Sequence, residues 1–330
     1  MLPISKKCIA VTLVGALAGC AVYAQQKPAG AGGGAEDSGA LIRVDTRLIV
    51  CHTTVVDKSG HLITNLPESA FSVYEDGVKQ EIKVFKREDV PVSIGLIIDN
   101  SGSMRDKRAK VAAAALALVK ASNRDDETFV VNFNDEPYLD LPNNEDFTNN
   151  LADLQEALSR IDARGGTAMR DAIRVSIDYV KEKGHRDKRV LVVVTDGNDN
   201  SSFISLENLV KAAQQAGVLI YSVGLLSEEE HREAQKAKRA LMDLAEATGA
   251  ETFFPKELSD VDRIANQVAH DIRSQYTIAY TPTNPTMDGK FRSIKIAVNA
   301  PGKPMVRTRN GYYATPDQGL PPNTKTTAEK

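Results

Sequence analysis

The chain has 330 residues, of which 42% are hydrophobic and 26% are charged, and its formal net charge is −3. This length and composition are those of a globular protein with a full core and a smaller additional module. Lysine and arginine are spread along the chain. Because no basic block with interleaved aromatic residues is present, we exclude nucleic acid as a partner.

The first twenty residues predict export. Lys6 and Lys7 precede an apolar run at residues 8–18, which is too short to span a bilayer and is typical of a secretory signal. The run ends in the sequence LAGC, which resembles a bacterial lipoprotein signal in which Cys20 is lipidated and becomes the mature N-terminus. The alternative is ordinary cleavage after Ala24. Either way we expect an exported protein, in the cell envelope or secreted. Membrane contact is expected only through a lipid anchor at Cys20.

The cysteines argue against an internal disulfide. Of Cys8, Cys20 and Cys51, the first is removed with the signal and the second is lipidated or removed. Cys51 therefore has no partner within the mature chain. We interpret it as a small buried apolar residue, with an exposed thiol as the alternative. Residues 21–40, rich in glycine and alanine, are predicted to be a flexible linker.

Residues 41–90 are predicted to form a small β unit. Residues 43–56 are rich in valine, isoleucine and threonine, and a turn sequence follows at residues 57–60. Apolar residues then alternate on both sides of the turn at residues 75–77, which is typical of a hairpin. These strands are too few to close a sandwich alone.

Residues 94–104, with the sequence IGLIIDNSGSM, begin as an apolar strand and end in oxygen-bearing side chains. The unbroken apolar run predicts a strand buried on both faces of a sheet. Asp99, Ser101 and Ser103 follow at its carboxyl end, where open α/β sheets bind ligands. These oxygens suit Mg²⁺, Mn²⁺ or Ca²⁺ and do not suit Zn²⁺. Alone the triplet is a weak signal, because serine and aspartate are also common helix N-caps.

Alternation of strands and helices continues to residue 274. Helices are predicted at residues 107–122, 151–161, 169–181, 206–216, 228–247 and 258–273, and strands at residues 128–133, 137–141, 190–194, 218–223 and 252–254. This alternation predicts an α/β fold, a doubly wound Rossmann-like parallel sheet with right-handed crossovers. We place this domain at residues 91–274.

After residue 274 the spacing of apolar residues becomes that of β-strands alone. Three strands are predicted at residues 276–280, 291–298 and 306–313. Since neither terminal half buries a core alone, residues 275–314 are expected to pack with residues 41–90 as one small β domain. Residues 315–330, rich in proline, threonine and charge, are predicted to be disordered.

Two further segments point to the same sheet edge as Asp99. Asp196 ends the strand at residues 190–194 within a Thr-Asp-Gly sequence, and Thr167 lies in a Gly-Gly-Thr loop before a helix. In strand order 3-2-1-4-5-6 the ligand cleft opens between the first and fourth strands. Asp99, Ser101, Ser103, Thr167 and Asp196 would therefore converge on one point.

This pattern resembles the von Willebrand factor type A domain and its metal-ion-dependent adhesion site, and no position departs from it. The flanks also look like an acidobacterial family related to von Willebrand factor A, through FSVYEDG at residues 71–77 and RNGYY at residues 309–313. By this resemblance Ser101, Ser103 and Thr167 would contact the metal directly or nearly so. Asp99 and Asp196 would hold metal-bound waters.

The resemblance also implies a partner. Two carboxylates balance the charge of a divalent cation, most simply Mg²⁺, and a coordination position remains for an outside oxygen. A glutamate or aspartate of a partner protein would fill it. We therefore expect cation-dependent adhesion that chelators abolish.

Other polar residues are assigned with less specificity. Asp171, Asn198, Asp199 and Asn200 could support the site, although Asp171 fits better as an acid at the start of its helix, where the macrodipole favours a negative charge. The loop acids expected to be solvated are Asp135, Glu136, Glu145 and Asp146. The five histidines have no metal-ligand spacing.

The alternatives to an adhesion module are an enzyme and a scaffold. A buried strand that ends in an aspartate is also found in phosphatases of the haloacid dehalogenase type, but those carry a second acid two residues later, and Ser101 stands there. A serine nucleophile would need a Gly-x-Ser-x-Gly sequence, which is missing. The remaining rival is a scaffold whose metal site is empty or purely structural.

Overall fold

A computed structural model describes residues 47–87, 89–159, 163–197, 199–226 and 231–316. The predicted signal peptide with Cys20, the predicted linker, Asn198 and residues 317–330 of the predicted tail lie outside the described residues. Across the described ranges, no helix is both long enough and apolar enough to cross a membrane.

The central sheet has six strands. They are β5 (Val92–Asp99), β6 (Glu127–Phe133), β7 (Pro137–Leu139), β8 (Lys188–Thr195), β9 (Leu219–Gly224) and β10 (Thr252–Phe253), numbered after four N-terminal strands described below. Their order is β10-β9-β8-β5-β6-β7. All neighbours are parallel except β7, which pairs antiparallel with β6 at one edge. This is the predicted 3-2-1-4-5-6 order, because β5 counts as the first strand and β8 as the fourth.

Among the described residues, five helices lie between these strands in the chain, and a sixth follows β10. They are α1 (Arg108–Ala121), α2 (Leu151–Ser159), α3 (Met169–Lys183), α4 (Leu206–Ala216), α5 (His231–Thr248) and α6 (Val261–Arg273). Helix α1 packs against α2 and α6, whereas α4 packs between α3 and α5, which gives two helical layers. Strand β5 is buried along its whole length. The predicted fold class, a doubly wound α/β domain flanked by a small β domain, is confirmed.

The flanking β domain combines strands from both ends of the described chain. They are β1 (Ile49–Val56), β2 (Phe71–Glu75), β3 (Val78–Gln80), β4 (Ile82–Lys86), β11 (Tyr276–Tyr280), β12 (Phe291–Val298), β13 (Met305–Arg307) and β14 (Gly311–Tyr313). They form two antiparallel sheets with the orders β13-β1-β11-β4 and β14-β12-β2-β3. Each sheet thus contains N-terminal and C-terminal strands.

The predicted strand at residues 306–313 is instead two strands, β13 and β14, in different sheets. The chain crosses from one sheet to the other at residues 308–310. Arg309 donates to the carbonyl oxygens of Gly311 and Gln214 there. The spacing of apolar residues could not predict this crossing, because the crossing depends on contacts with α4.

A buried carboxylate joins the two sheets of the flanking domain. Glu75 is only 3% exposed, and its Oε2 atom accepts hydrogen bonds from the hydroxyls of Tyr280 at 2.7 Å and Tyr312 at 3.0 Å. Glu75 is N-terminal and both tyrosines are C-terminal, so this core forms only when the two ends of the chain meet. At the start of the predicted tail, Arg47 donates hydrogen bonds to the carbonyl oxygens of Thr315 and Pro316.

Gly95 lies at the middle of β5, and its neighbours leave no room for a side chain. A Cβ atom there would lie 2.5 Å from the Phe129 ring and 2.6 Å from Leu191. We expect Gly95→Ala to lower the free energy of unfolding by about 1–3 kcal/mol through overpacking, measured by urea denaturation. Phe129→Leu in the same chain should recover part of the loss. Additive effects of the two substitutions would contradict this account.

Candidate metal centre

Asp99 is the last residue of β5, and its side chain is held by two strands. It is fully buried. Its Oδ1 atom accepts a hydrogen bond from the backbone N–H of Ser101 at 2.8 Å, and its Oδ2 atom accepts one from the Thr195 hydroxyl at 2.6 Å. Burial raises the pKa of the Asp99 carboxyl, and the hydrogen bonds from Ser101 and Thr195 act in the opposite direction.

The two serine hydroxyls lie between Asp99 and Asp196. A 3-10 turn at Gly102–Met104 places the Oγ atoms of Ser101 and Ser103 3.2 Å apart. The Ser103 hydroxyl donates to Oδ1 of Asp196 at 2.8 Å. Neighbouring oxygens around an octahedral Mg²⁺ are about 2.9 Å apart, given bonds of 2.0–2.1 Å. The donor spacing therefore fits a small divalent cation.

Thr167 lies in a loop that is hydrogen-bonded to the segment after Asp196. Its backbone N–H donates to Oδ1 of Asn200 at 2.9 Å, and its carbonyl accepts from the backbone N–H of Asn200 at 3.1 Å. A Cβ atom on Gly197 would lie 3.8 Å from the Thr167 hydroxyl oxygen. Thr167 thus lies beside the residue that follows Asp196. The hydrogen bonds described above join the other four predicted residues, Asp99, Ser101, Ser103 and Asp196, at this sheet edge. That they bind metal stays a prediction.

The centre relies on hydroxyl groups as much as on acids. Among the residues that the structure describes, no group of three or more histidine, cysteine, aspartate or glutamate side chains could hold a metal ion. The site at Asp99 and Asp196 offers two carboxylates and three hydroxyls. A donor set of oxygens alone favours hard cations.

Lys107 is a site residue that the sequence analysis missed. Its Nζ atom lies 2.5 Å from Oδ2 of Asp196, whose side chain is 1% exposed. The ammonium therefore neutralises one of the two carboxylates. The sequence carried a weak signal for this contact, since Lys107 lies just before the helix that follows the serines. Only the fold brings Asp196 next to it.

The loop after β8 is tied to the start of α3. Asp171 accepts hydrogen bonds from the backbone N–H groups of Phe203 at 2.9 Å and Ile204 at 3.0 Å. Asp199 accepts from the backbone N–H of Arg170 at 2.7 Å. The interpretation of Asp171 as a helix-start residue is incomplete, because its carboxylate is committed to this loop.

Asp135 is exposed, as expected of a solvated loop acid. In addition, its Oδ1 atom accepts a hydrogen bond from the backbone N–H of Gly166 at 2.8 Å. The contact is possible because the loop has no side chain there: a Cβ atom on Gly165 would lie 2.0 Å from Oδ2 of Asp135. Asp135 therefore positions the loop that carries Thr167.

The contacts of Asp171 predict a local effect on dynamics. We expect Asp171→Ala to raise amide hydrogen exchange at Phe203 and Ile204 by about tenfold or more, because each N–H loses a charged acceptor. Hydrogen exchange with mass spectrometry measures it. Asp178→Ala is the control, since Asp178 lies on the same helix and pairs with Arg174 at the surface. If the amides of Phe203 and Ile204 exchanged equally fast in the two variants, Asp171 would not be the group that holds this loop.

Comparison with known proteins identifies one family. The family model for the von Willebrand factor type A domain matches residues 93–268. An uncharacterized protein of Synechocystis sp. is 30% identical over 112 residues, which are 33% of this chain and 26% of that protein. The match thus spans about a quarter of the curated relative.

Solved structures are also similar. A von Willebrand factor type A protein of Catenulispora acidiphila is 12% identical, with a TM-score of 0.47 over 83% of this chain and 75% of that one. Proximal thread matrix protein 1 of the mussel byssus, with zinc in its adhesion motif, is 18% identical, with a TM-score of 0.47 over 60% of this chain and 50% of that one.

Proposed function

The chain belongs to the von Willebrand factor type A domain family, and from this premise we propose that it is an exported, cation-dependent protein-binding module. The observation that carries the proposal is the run of side-chain oxygens from Ser101 through Ser103 to Asp196, which are 3.2 and 2.8 Å apart. Asp99, which accepts the Ser101 N–H, and Thr167 would complete the set. Adhesion, not catalysis, is the activity that such a site supports.

A hard divalent cation fits these donors. Mg²⁺ is the first choice, with Mn²⁺ or Ca²⁺ as alternatives. Ser101, Ser103 and Thr167 would hold the ion, and Asp99 and Asp196 would act through its waters. The ion would supply a Lewis-acidic position for an outside carboxylate.

The charge balance explains why the partner would present an aspartate or glutamate. Two carboxylates and the Lys107 ammonium give the site a net charge of −1. A divalent cation changes this to +1. The cation therefore converts a site that repels a carboxylate into one that attracts it, at short range and in a partly desolvated position where such charges are weakly screened.

A structural role for the site is the second candidate. Lys107 and Ser103 already hold Asp196, and Thr195 already holds Asp99. These contacts would stabilise the edge of the sheet without a cation. The third candidate is a phosphatase in which Asp99 is the nucleophile. It lacks support because Ser101 occupies the position of the general acid.

Metal titration separates the first two candidates. We expect calorimetry with the chelator-stripped mature protein to show one Mg²⁺ per chain, and Ser103→Ala to weaken binding by about tenfold or more. Ser103 is exposed, so its removal should spare the fold. Ser159→Ala removes an exposed hydroxyl on α2 and serves as the control. No heat from the wild type, with or without added acetate, would favour the scaffold.

The location is also a proposal. We place the mature protein in the cell envelope, anchored by lipid at Cys20 or released after Ala24. In a bacterial host, intact mass spectrometry should find a mature chain that begins at Cys20 and carries acyl groups. Cys20→Ser should abolish acylation and move the protein to the soluble fraction. A wild-type N-terminus at Gln25 would contradict the lipid anchor.

A further inference from the structure

A groove opens beside the candidate metal centre. It has a volume of about 580 Å³ and lies between the end of β9, the loop after β10 and the N-terminal half of α5. This volume is within the range of sites that bind ligands, about 300–1,000 Å³. The family pattern of five metal-site residues does not include it.

The floor of the groove is apolar and well packed. Leu225, Leu226, Phe254 and Leu258 contribute to the lining. Phe254 lies directly over Gly224, where a Cβ atom would come within 2.8 Å of its ring. The missing side chain at Gly224 therefore allows the Phe254 ring to approach β9 closely.

The rim of the groove is basic. Lys107, Lys238 and Lys256 line it, against one acid, Glu257. The Lys238 ammonium lies 5.1 Å from the centre of the Phe254 ring, a cation–π contact that holds it over the floor. This charge balance covers the described lining; residues 228–230, all glutamates, lie outside the described part of the chain.

Lys107 makes the groove and the metal centre one continuous surface. It lines the groove, and its ammonium contacts the Asp196 carboxylate in the centre. A ligand with a carboxylate at the metal position would therefore enter the groove with its next residues. Those residues would contact leucine and phenylalanine side chains at the floor of the groove and lysine ammonium groups at its rim.

We propose that the groove binds an extended protein segment in which acidic residues are interleaved with large apolar ones, continuing from the carboxylate at the metal. This inference rests on the proposed function and specifies its partner. Leu226 and Phe254, which are only partly buried, would receive the apolar side chains. Lys238 and Lys256 would pair with the additional acids.

The test uses a phage-displayed library of random peptides selected on the Mg²⁺-loaded mature chain. Selected peptides are synthesised, labelled and titrated by fluorescence anisotropy into the wild type and into the variant Lys238→Gln/Lys256→Gln. We expect sequences with interleaved acidic and apolar residues. These peptides should bind the double variant about tenfold more weakly than the wild type. Added salt should reduce this difference in affinity.

A matched control comes from the same helix. Lys236 on α5 is exposed and pairs with Glu233, and it does not line the groove. Lys236→Gln should leave peptide affinity within about twofold, since exposed pairs contribute little. Thermal unfolding of all variants confirms that they are folded.

The outcomes separate this inference from the proposed function. Binding that is lost with EDTA but equal in the double variant overturns the groove and keeps the metal centre. Binding that survives EDTA but needs both lysines supports the groove and overturns the metal dependence. Selected peptides without acidic residues, or no peptide that binds the wild type, overturn the groove proposal.

Discussion

The hydrogen bonds to the Asp99 carboxylate are the interaction on which the rest of the site depends. A buried carboxylate without partners would cost several kcal/mol. The Ser101 N–H and the Thr195 hydroxyl meet this requirement, and together they fix the turn after β5 to the end of β8. Ser101 and Ser103 are positioned by that turn, and Asp196 follows Thr195 directly. The same pairing that compensates burial therefore aligns the candidate ligands.

A second constraint is electrostatic. Asp99 and Asp196 are both buried, and two like charges at one sheet edge would repel each other. Lys107 reduces this repulsion by its contact with Asp196. This ion pair therefore stabilises the edge, and in the proposed function a bound cation would change the sign of its charge.

The flanking β domain braces the central domain at α4. Arg309 donates to the Gln214 carbonyl at 2.7 Å, and the Gln214 amide donates to Asn310 at 2.8 Å. Both donors and acceptors are partly buried at this contact. The strands of the flanking domain come from both ends of the described chain, so its core around Glu75 closes only when those ends meet. The two parts therefore stabilise each other.

The sequence by itself determined the fold class and the buried strand that ends at Asp99, and it predicted the five residues of the candidate site. Those features follow from apolar periodicity and from short patterns, which are local properties of the chain. Only the tertiary structure decided that Lys107 contacts Asp196, that Asp135 and Asp171 hold loops, and that residues 306–313 divide between two sheets. Lys107 and Asp196 are separated by 89 positions. Such contacts are set by how strands and helices pack, and no local pattern encodes them.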